Sequence, residues 1–417
     1  MIIKRDYYLR QLIQGQKNGL IKIITGIRRC GKSFLLSRIF GTWLLENGVS
    51  DSHIIHIPLD DKKNASMRDP NEFLRYVDES VADDNWYYLL IDEIQLMDDF
   101  VEVLNSLLYR DNIDVYVTGS NSRMLSRDVV TEFRGRGDEI HMYPLSFAEY
   151  MSCCGLDRTI AWRNYYTFGG LPQVALMDDE LKKMNYLSNL MQTVFLRDVV
   201  ERHKVNNESE LMELIEILSS SIGAPTNPTK ISNSFLSVKK IKLSQPTISK
   251  YITYFLDAFL IEKAMRYNIK GRKYINSLSK YYFTDMGLRN AVLNFRQLEE
   301  SHIMENVIYN ELRMRGFRVD VGIVETREEN QEGKYVRKQL EVDFVANSGN
   351  KRYYIQSALS IPSREKRQQE TASFQAIDDS FEKIIIVRDD IMPYIDEKGY
   401  RIIGLFDFLL NPNVLSN

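Results

Sequence analysis

Gly26-Ile27-Arg28-Arg29-Cys30-Gly31-Lys32-Ser33 is the stretch whose reading decides the fold. It fits G-x-x-x-x-G-K-[ST], the pattern of a loop whose backbone N–H groups close around nucleotide phosphates. In that pattern Lys32 reaches the β- and γ-phosphates and the Ser33 hydroxyl ligates Mg²⁺. Gly26, Ile27, Arg28, Arg29, Cys30, Gly31, Lys32, Ser33 and Phe34 are therefore the expected nucleotide-binding set. The flanks agree with it. Leu20–Thr25 reads as a buried strand entering the loop, and Phe34–Phe40 as the helix leaving it, whose N-terminus favours anions.

A second motif lies where the first requires one. Trp86-Tyr87-Tyr88-Leu89-Leu90-Ile91-Asp92-Glu93 is an apolar run ending in two acids. A central parallel strand buried on both faces has this composition. Its C-terminal end is where open α/β sheets bind ligands. Asp92 is placed to hold Mg²⁺ with Ser33, and Glu93 to polarise an attacking water as general base. A third run, Val115-Tyr116-Val117-Thr118-Gly119-Ser120-Asn121-Ser122, is a strand ending in small polar residues. Ser120 can sense a γ-phosphate or orient water there; a plain polar turn is the other reading.

The 417 residues exceed one ordinary core, so two or three domains are expected. Apolar content of 44% and charged content of 27% describe a globular chain, and a net charge of −3 gives no overall pull toward nucleic acid. No N-terminal apolar signal and no run of 18 apolar residues is present, so a cytoplasmic protein with no membrane partner is expected. Cys30, Cys153 and Cys154 form neither a disulfide framework nor a zinc pattern. Candidate strands Ile21–Thr25, His53–Pro58, Tyr87–Ile91, Val115–Thr118 and Glu139–Met142 alternate with helical stretches Phe34–Asn47, Glu72–Val81 and Val101–Tyr109. That alternation argues for a parallel sheet with covered faces.

These motifs resemble the AAA+ superfamily, in particular bacterial and archaeal ATPases with a C-terminal domain of unknown function. The resemblance rests on Arg5-Asp6-Tyr7-Tyr8-Leu9, the phosphate loop, Leu90-Ile91-Asp92-Glu93-Ile94-Gln95 and Thr118-Gly119-Ser120-Asn121-Ser122. It extends through Gly135-Arg136, Tyr143-Pro144-Leu145-Ser146-Phe147, Gly169-Gly170-Leu171-Pro172 and Arg197-Asp198-Val199. It implies an α/β fold: a P-loop parallel-sheet core over 1–149 with a helical lid over 150–206. It implies ATP and Mg²⁺ as cofactors, an oligomer, and an arginine finger that a neighbouring subunit lends to the transferred phosphoryl group. Within Phe133-Arg134-Gly135-Arg136-Gly137, Arg136 matches best; a solvated basic loop is the alternative. Arg197 would contact nucleotide from the lid or pair with Asp198 or Glu201.

Residues 207–300 change character. The amphipathic run Leu211–Leu218, a short helix Ile231–Val238 and a helix opening at Ser244-Gln245-Pro246-Thr247 precede two alternating runs around Lys270-Gly271-Arg272-Lys273. Three helices and a hairpin make a winged helix. Residues 225–280 hold 11 Lys and Arg against Asp257 and Glu262, a local excess of 11 − 2 = +9. That excess is the footprint of a nucleic-acid site, with Thr247, Ser249 and Lys250 toward a major groove of double-stranded DNA and Arg272 and Lys273 on phosphates. A protein-contact module is the alternative.

The region 301–417 looks like the PD-(D/E)xK nuclease fold, with Glu305 on a helix, Asp343 on a strand and Gln356 on the next. Ala358 stands where that pattern has its lysine, so an inactive nuclease-like domain is expected unless Lys351 or Lys366 supplies the ammonium. Asp343 as a plain strand residue is the other reading. Three functions follow: a Mg²⁺-dependent, DNA-coupled ATPase; an ATP-gated switch that binds a protein partner; or an active metal-dependent nuclease.

Overall fold

The computed structural model describes residues 2–120, 135–240, 243–329, 335–361 and 363–415. The chain divides into two compact units. The first is residues 1–145 with 171–173 and 257–259, and the second is the remainder.

The first unit is built on five parallel strands: β1 Ile21–Thr25, β2 Ile54–Pro58, β3 Tyr87–Asp92, β4 Ile113–Gly119 and β5 Gly137–His141. Their order is β2-β3-β4-β1-β5. Every residue of β1, β3 and β4 is buried, as apolar runs covered on both faces should be. On one face Ile21, Ile23, Leu89, Ile91, Val115 and Val117 pack with Phe73, Val77, Val103, Leu104 and Leu107 of two helices. The first of these helices, Pro70–Ser80, starts where the sequence tells it to. Asp69 accepts from the N–H groups of Asn71 and Glu72, and Pro70 fills its first position. The helix after the phosphate loop begins at Lys32–Phe34, widens into a π-turn over Leu35–Phe40, and continues as Gly41–Glu46.

Beyond residue 145 come helices Phe147–Cys154, Arg158–Phe168, Pro172–Ala175, Glu180–Leu190 and Arg197–His203, all in the second unit except Pro172 and Gln173. These helices overlap the span 150–206 that the sequence reading expected to be a lid. Three helices follow, Glu208–Ser220, Pro228–Ser234 and Gln245–Asp257, and then the hairpin β6 Ile261–Asn268 and β7 Lys273–Phe283.

The hairpin is where structure and sequence reading part. β6 pairs in parallel with β8 (Arg318–Glu329), so β6 and β7 are two strands of an eight-stranded sheet rather than a free wing. The others are β9 Tyr335–Ser348, β10 Lys351–Ala358, β11 Glu382–Val387, β12 Tyr394–Ile395 and β13 Arg401–Gly404, in the order β12-β13-β11-β10-β9-β8-β6-β7. A boundary at 300 therefore runs through one sheet. The physical reason is burial. Ile269 at the hairpin tip joins Val324, Val342, Val345 and Tyr354 in the apolar core, and its N–H donates to the Ile323 carbonyl at 3.0 Å. The helix Glu300–Met314 buries Ile303, Met304, Val307, Ile308 and Leu312. Among the described residues no helix is long and apolar enough to cross a membrane.

Candidate nucleotide site

The phosphate loop joins the C-terminal end of β1 to its helix. Gly26 sits at φ 144°, where a Cβ would lie 2.1 Å from the Met142 carbonyl oxygen, so only glycine fits. Gly31 (φ 103°) and Arg29 (φ 66°) also take left-handed backbone, the turn that aims successive N–H groups inward. Cys30 is fully buried, so its thiol is a packing element beneath the loop. Arg5, 3% exposed, braces the loop from below: its guanidinium donates to the Cys30 carbonyl at 3.2 Å and the Tyr143 carbonyl at 2.7 Å.

Lys32 is 4% exposed, and its ammonium donates to the carbonyls of Gly26 at 2.9 Å and Ile27 at 3.1 Å. It is thus held over the hollow of the loop by bonds that a phosphate can replace. Ser33 and Phe34 are exposed at the start of the helix. The Ser33 and Thr118 hydroxyls both hydrogen-bond Asp92 and favour its charged form. Burial outweighs them and leaves the carboxyl above its ordinary range. Ser33 with Asp92 is the sparse hard-oxygen set that Mg²⁺ takes when phosphates and water fill its other positions.

Glu93, the residue after β3, lies in left-handed backbone at φ 54°. Its N–H donates to Thr118 Oγ1 at 2.9 Å, and Thr118 Oγ1 donates to Asp92. Its carboxylate accepts from the Ser120 hydroxyl at 3.1 Å and from the Gln95 amide. Arg28 reaches Ser120 Oγ at 3.4 Å. The ends of β1, β3 and β4 thus bring Lys32, Ser33, Asp92, Glu93, Ser120 and Arg28 to one place. Sequence reading quoted Thr118 and Gln95 within their motifs but gave neither a role of its own. Thr118 could have been found: it is the last β4 residue before Gly119, beside the strand carrying the acids.

Arg136 is elsewhere. Its carbonyl accepts from the Ile21 N–H at 2.9 Å, at the entry of β1 and β5, the opposite end of the sheet from the phosphate loop. Phe133, Arg134, Asn121 and Ser122 lie outside the described residues. Arg197 is exposed and pairs with Glu201 at 2.7 Å on its own helix, the second of its two expected roles.

The proposed DNA contacts divide in a similar way. Ser249, Lys250, Arg272 and Lys273 are exposed, Thr247 is half-buried, and Ser244 bonds the Thr247 N–H at 3.2 Å as a cap. Lys230, Lys240, Lys263 and Lys270 are also exposed. Two of the basic residues are not surface charges. Arg266 is 8% exposed and bonds Gln339, and Lys280 is 2% exposed.

Lys280 leads to the nuclease-like residues. Its ammonium donates to Glu305 at 2.9 Å and to Glu341 at 2.7 Å. Asp343 accepts from the Ser357 N–H at 2.8 Å, and Gln356 from the Asp343 N–H at 3.4 Å. Burial first and Glu305 second push the Asp343 carboxyl up to about 8. Ala358 belongs to the apolar core with Phe374 and Ile377. Lys351 is exposed, and Lys366 pairs with Glu370 at 2.7 Å, so neither supplies the missing ammonium. Among the described residues no group of three or more His, Cys, Asp or Glu is placed to hold a metal ion.

Residues 18–151 match the family described as AAA domain, and residues 159–299 match one described as a domain of unknown function. An uncharacterized protein of Haemophilus influenzae is 32% identical over 98% of this chain and 99% of its own length. Another, from Methanocaldococcus jannaschii, is 31% identical over 97% of this chain and 88% of its own. Among solved structures, the Aeropyrum pernix ORC1 protein in complex with DNA aligns at a TM-score of 0.33 and 12% identity, over 70% of this chain and 92% of that one. The Pyrobaculum aerophilum CDC6P aligns at 0.31 and 12%, over 73% and 97%. With the phosphate loop, the acid-ended strand and the five-stranded parallel sheet in place, the chain belongs to the family of AAA+ ATPases that carry an additional domain of unknown function.

Proposed function

We propose that the protein binds ATP with Mg²⁺ at the phosphate loop, hydrolyses it, and couples turnover to double-stranded DNA. The carrying observation is the convergence of Lys32, Ser33, Asp92 and Glu93 at the C-terminal ends of β1 and β3. The loop N–H groups and Lys32 bind the phosphates, and Ser33 and Asp92 hold the metal. When bound, Mg²⁺ would offset negative charge on the phosphates. Glu93 takes the proton of the attacking water, and Ser120 orients it. Arg136 of a neighbouring subunit stabilises charge on the phosphoryl group, which makes an oligomer the active form. DNA coupling is supported by the exposed cations Lys240, Lys250, Lys263, Lys270, Arg272 and Lys273.

One observation favours a second reading, an ATP-gated switch with little turnover that binds a protein partner. Ser120 and Gln95 both donate to Oε2 of Glu93, so that oxygen is engaged before any water arrives. Steady-state ATP hydrolysis, with and without duplex DNA, separates the two. The ATPase reading expects turnover that DNA accelerates and Glu93→Gln abolishes. ATP binding with negligible turnover, indifferent to DNA, would replace it with the switch.

A further inference from the structure

The acid cluster of the second unit already contains a cation, and that cation is a side chain. Lys280 comes from β7, Glu305 from the helix Glu300–Met314, and Glu341 and Asp343 from β9. The ammonium is bonded to Glu305 and Glu341, and its charge acts directly on Asp343. The Tyr282 hydroxyl donates to the same Glu305 oxygen at 2.7 Å. Lys280 is 2% exposed and Asp343 9%, whereas the side chains of Glu305 and Glu341 are 13% and 31% exposed, so the ammonium is withdrawn from solvent while Glu341 keeps an edge in water. Carboxylates partly withdrawn from water need a counter-charge, which the ammonium gives to Glu305 and Glu341, while burial keeps the Asp343 carboxyl protonated.

The Glu305 side of the cluster is also covered. Gly223, at φ 70°, lies so close that a Cβ there would be 3.1 Å from both Glu305 oxygens. A bridge between Thr226 and Ser279 fixes that segment beside the strand that carries Lys280. The lysine missing at Ala358 is therefore not simply lost from the molecule. An ammonium reaches the acids from another strand, bonds Glu305 and Glu341 directly and acts on Asp343 through its charge.

We propose that the Lys280 ammonium is the resident cation of the Glu305–Glu341–Asp343 cluster, standing in the place a divalent metal would take, so that the cluster ties the β6–β7 hairpin to the C-terminal strands and neither binds metal nor cuts nucleic acid. The basic hairpin and the nuclease-like strands are then a single body locked by an internal ion cluster. The second unit's contribution is binding, and hydrolysis of phosphodiesters is absent from it.

The test counts bound Mn²⁺ by electron paramagnetic resonance on the full-length, nucleotide-free protein. Wild type and Asp343→Asn are expected to bind the same number of ions, and wild type is expected to leave supercoiled plasmid intact in Mn²⁺. Lys280→Ala is expected to gain one ion per chain, to lose it again in Lys280→Ala/Asp343→Asn, and to melt at a higher temperature when Mn²⁺ is added. Should Lys280→Ala not fold, Lys280→Gln, whose neutral amide keeps two donors, takes its place in the same count. One more ion on wild type than on Asp343→Asn, or Mn²⁺-dependent nicking that Lys280→Gln loses, would overturn the proposal and make the cluster an active metal site. A folded Lys280 variant that gains no ion would equally overturn it, because the ammonium would then not occupy a cation's place.

Discussion

At the scale of single residues, three side chains carry separable predictions. Glu93→Gln keeps the size of the side chain and its contacts with Ser120 and Gln95, but removes the base. Nucleotide affinity should survive while turnover falls about 10²-fold or more, the usual contribution of a positioned general base. Equilibrium binding of a fluorescent ATP analogue beside steady-state hydrolysis checks both halves; unchanged turnover sinks the assignment. Lys22 and Asp114 form an ion pair across β1 and β4, with side chains 0% and 3% exposed, and Asp114 also accepts from the Tyr116 hydroxyl at 2.9 Å. Asp114→Asn leaves the Lys22 ammonium buried without its counter-charge and should cost about 3–5 kcal/mol in denaturant unfolding, more than the paired replacement Lys22→Met/Asp114→Leu. Asp343 gives the pH dependence. Its carboxyl is held protonated up to about 8 in the fold, against 3.8 as its ordinary value, so the folded state binds the extra proton between those limits. The stability this contributes is complete below pH 4 and is lost as pH rises toward 8. Urea midpoints across that window should fall in wild type and fall less steeply in Asp343→Asn; parallel curves would show that Asp343 does not titrate there.

At the scale of elements, what the sequence made legible depended on how local the cause was. β1 begins and ends where its apolar run does, and β3 and β4 differ from their expected spans only at the ends, because burial on both faces writes itself into consecutive residues. The π-turn inside the helix after the phosphate loop left no such mark, since its side chains read equally well as α-helix. Lys280 was read only as part of a basic excess. Its partners lie 25 and 61 positions away in the chain, and only the sheet brings them together. Glu341 did carry a signal. It stands two residues before Asp343, and strand alternation puts both on one face. The hairpin shows the limit of a local reading most clearly: its pattern is that of a wing, but β6 completes its hydrogen bonds on β8, a strand that begins 50 residues after β6 ends. A fragment of residues 207–300 should therefore lack a cooperative unfolding transition by circular dichroism, while residues 146–417 should show one. A cooperative transition in the shorter fragment would restore an autonomous winged helix.

At the scale of the whole molecule, the position of Arg136 bears on how many chains make a working site. β1 and β5 run parallel and in register from Ile21 opposite Gly137 to Thr25 opposite His141. The phosphate loop leaves the Thr25 end and Arg136 stands at the Ile21 end, so the sheet separates them by roughly five residues of strand at about 3.3 Å each. An arginine placed there cannot serve the phosphates of its own chain, whereas a heterologous contact repeated around a ring would bring it to the next one. Arg136→Ala should therefore bind ATP like the wild type and lose turnover by about 10³-fold or more, the scale of an arginine finger. The decisive measurement is a mixture. Arg136→Ala keeps Glu93, and Glu93→Gln keeps Arg136, so a site whose acid comes from the first and whose arginine comes from the second is complete. Random mixing in equal amounts makes roughly a quarter of the interfaces of that kind in a closed ring, and ATP hydrolysis should return in about that proportion although each variant alone is inactive. If the mixture stays as inactive as its parts, Arg136 acts within its own chain or not at all, and the residue needs another role.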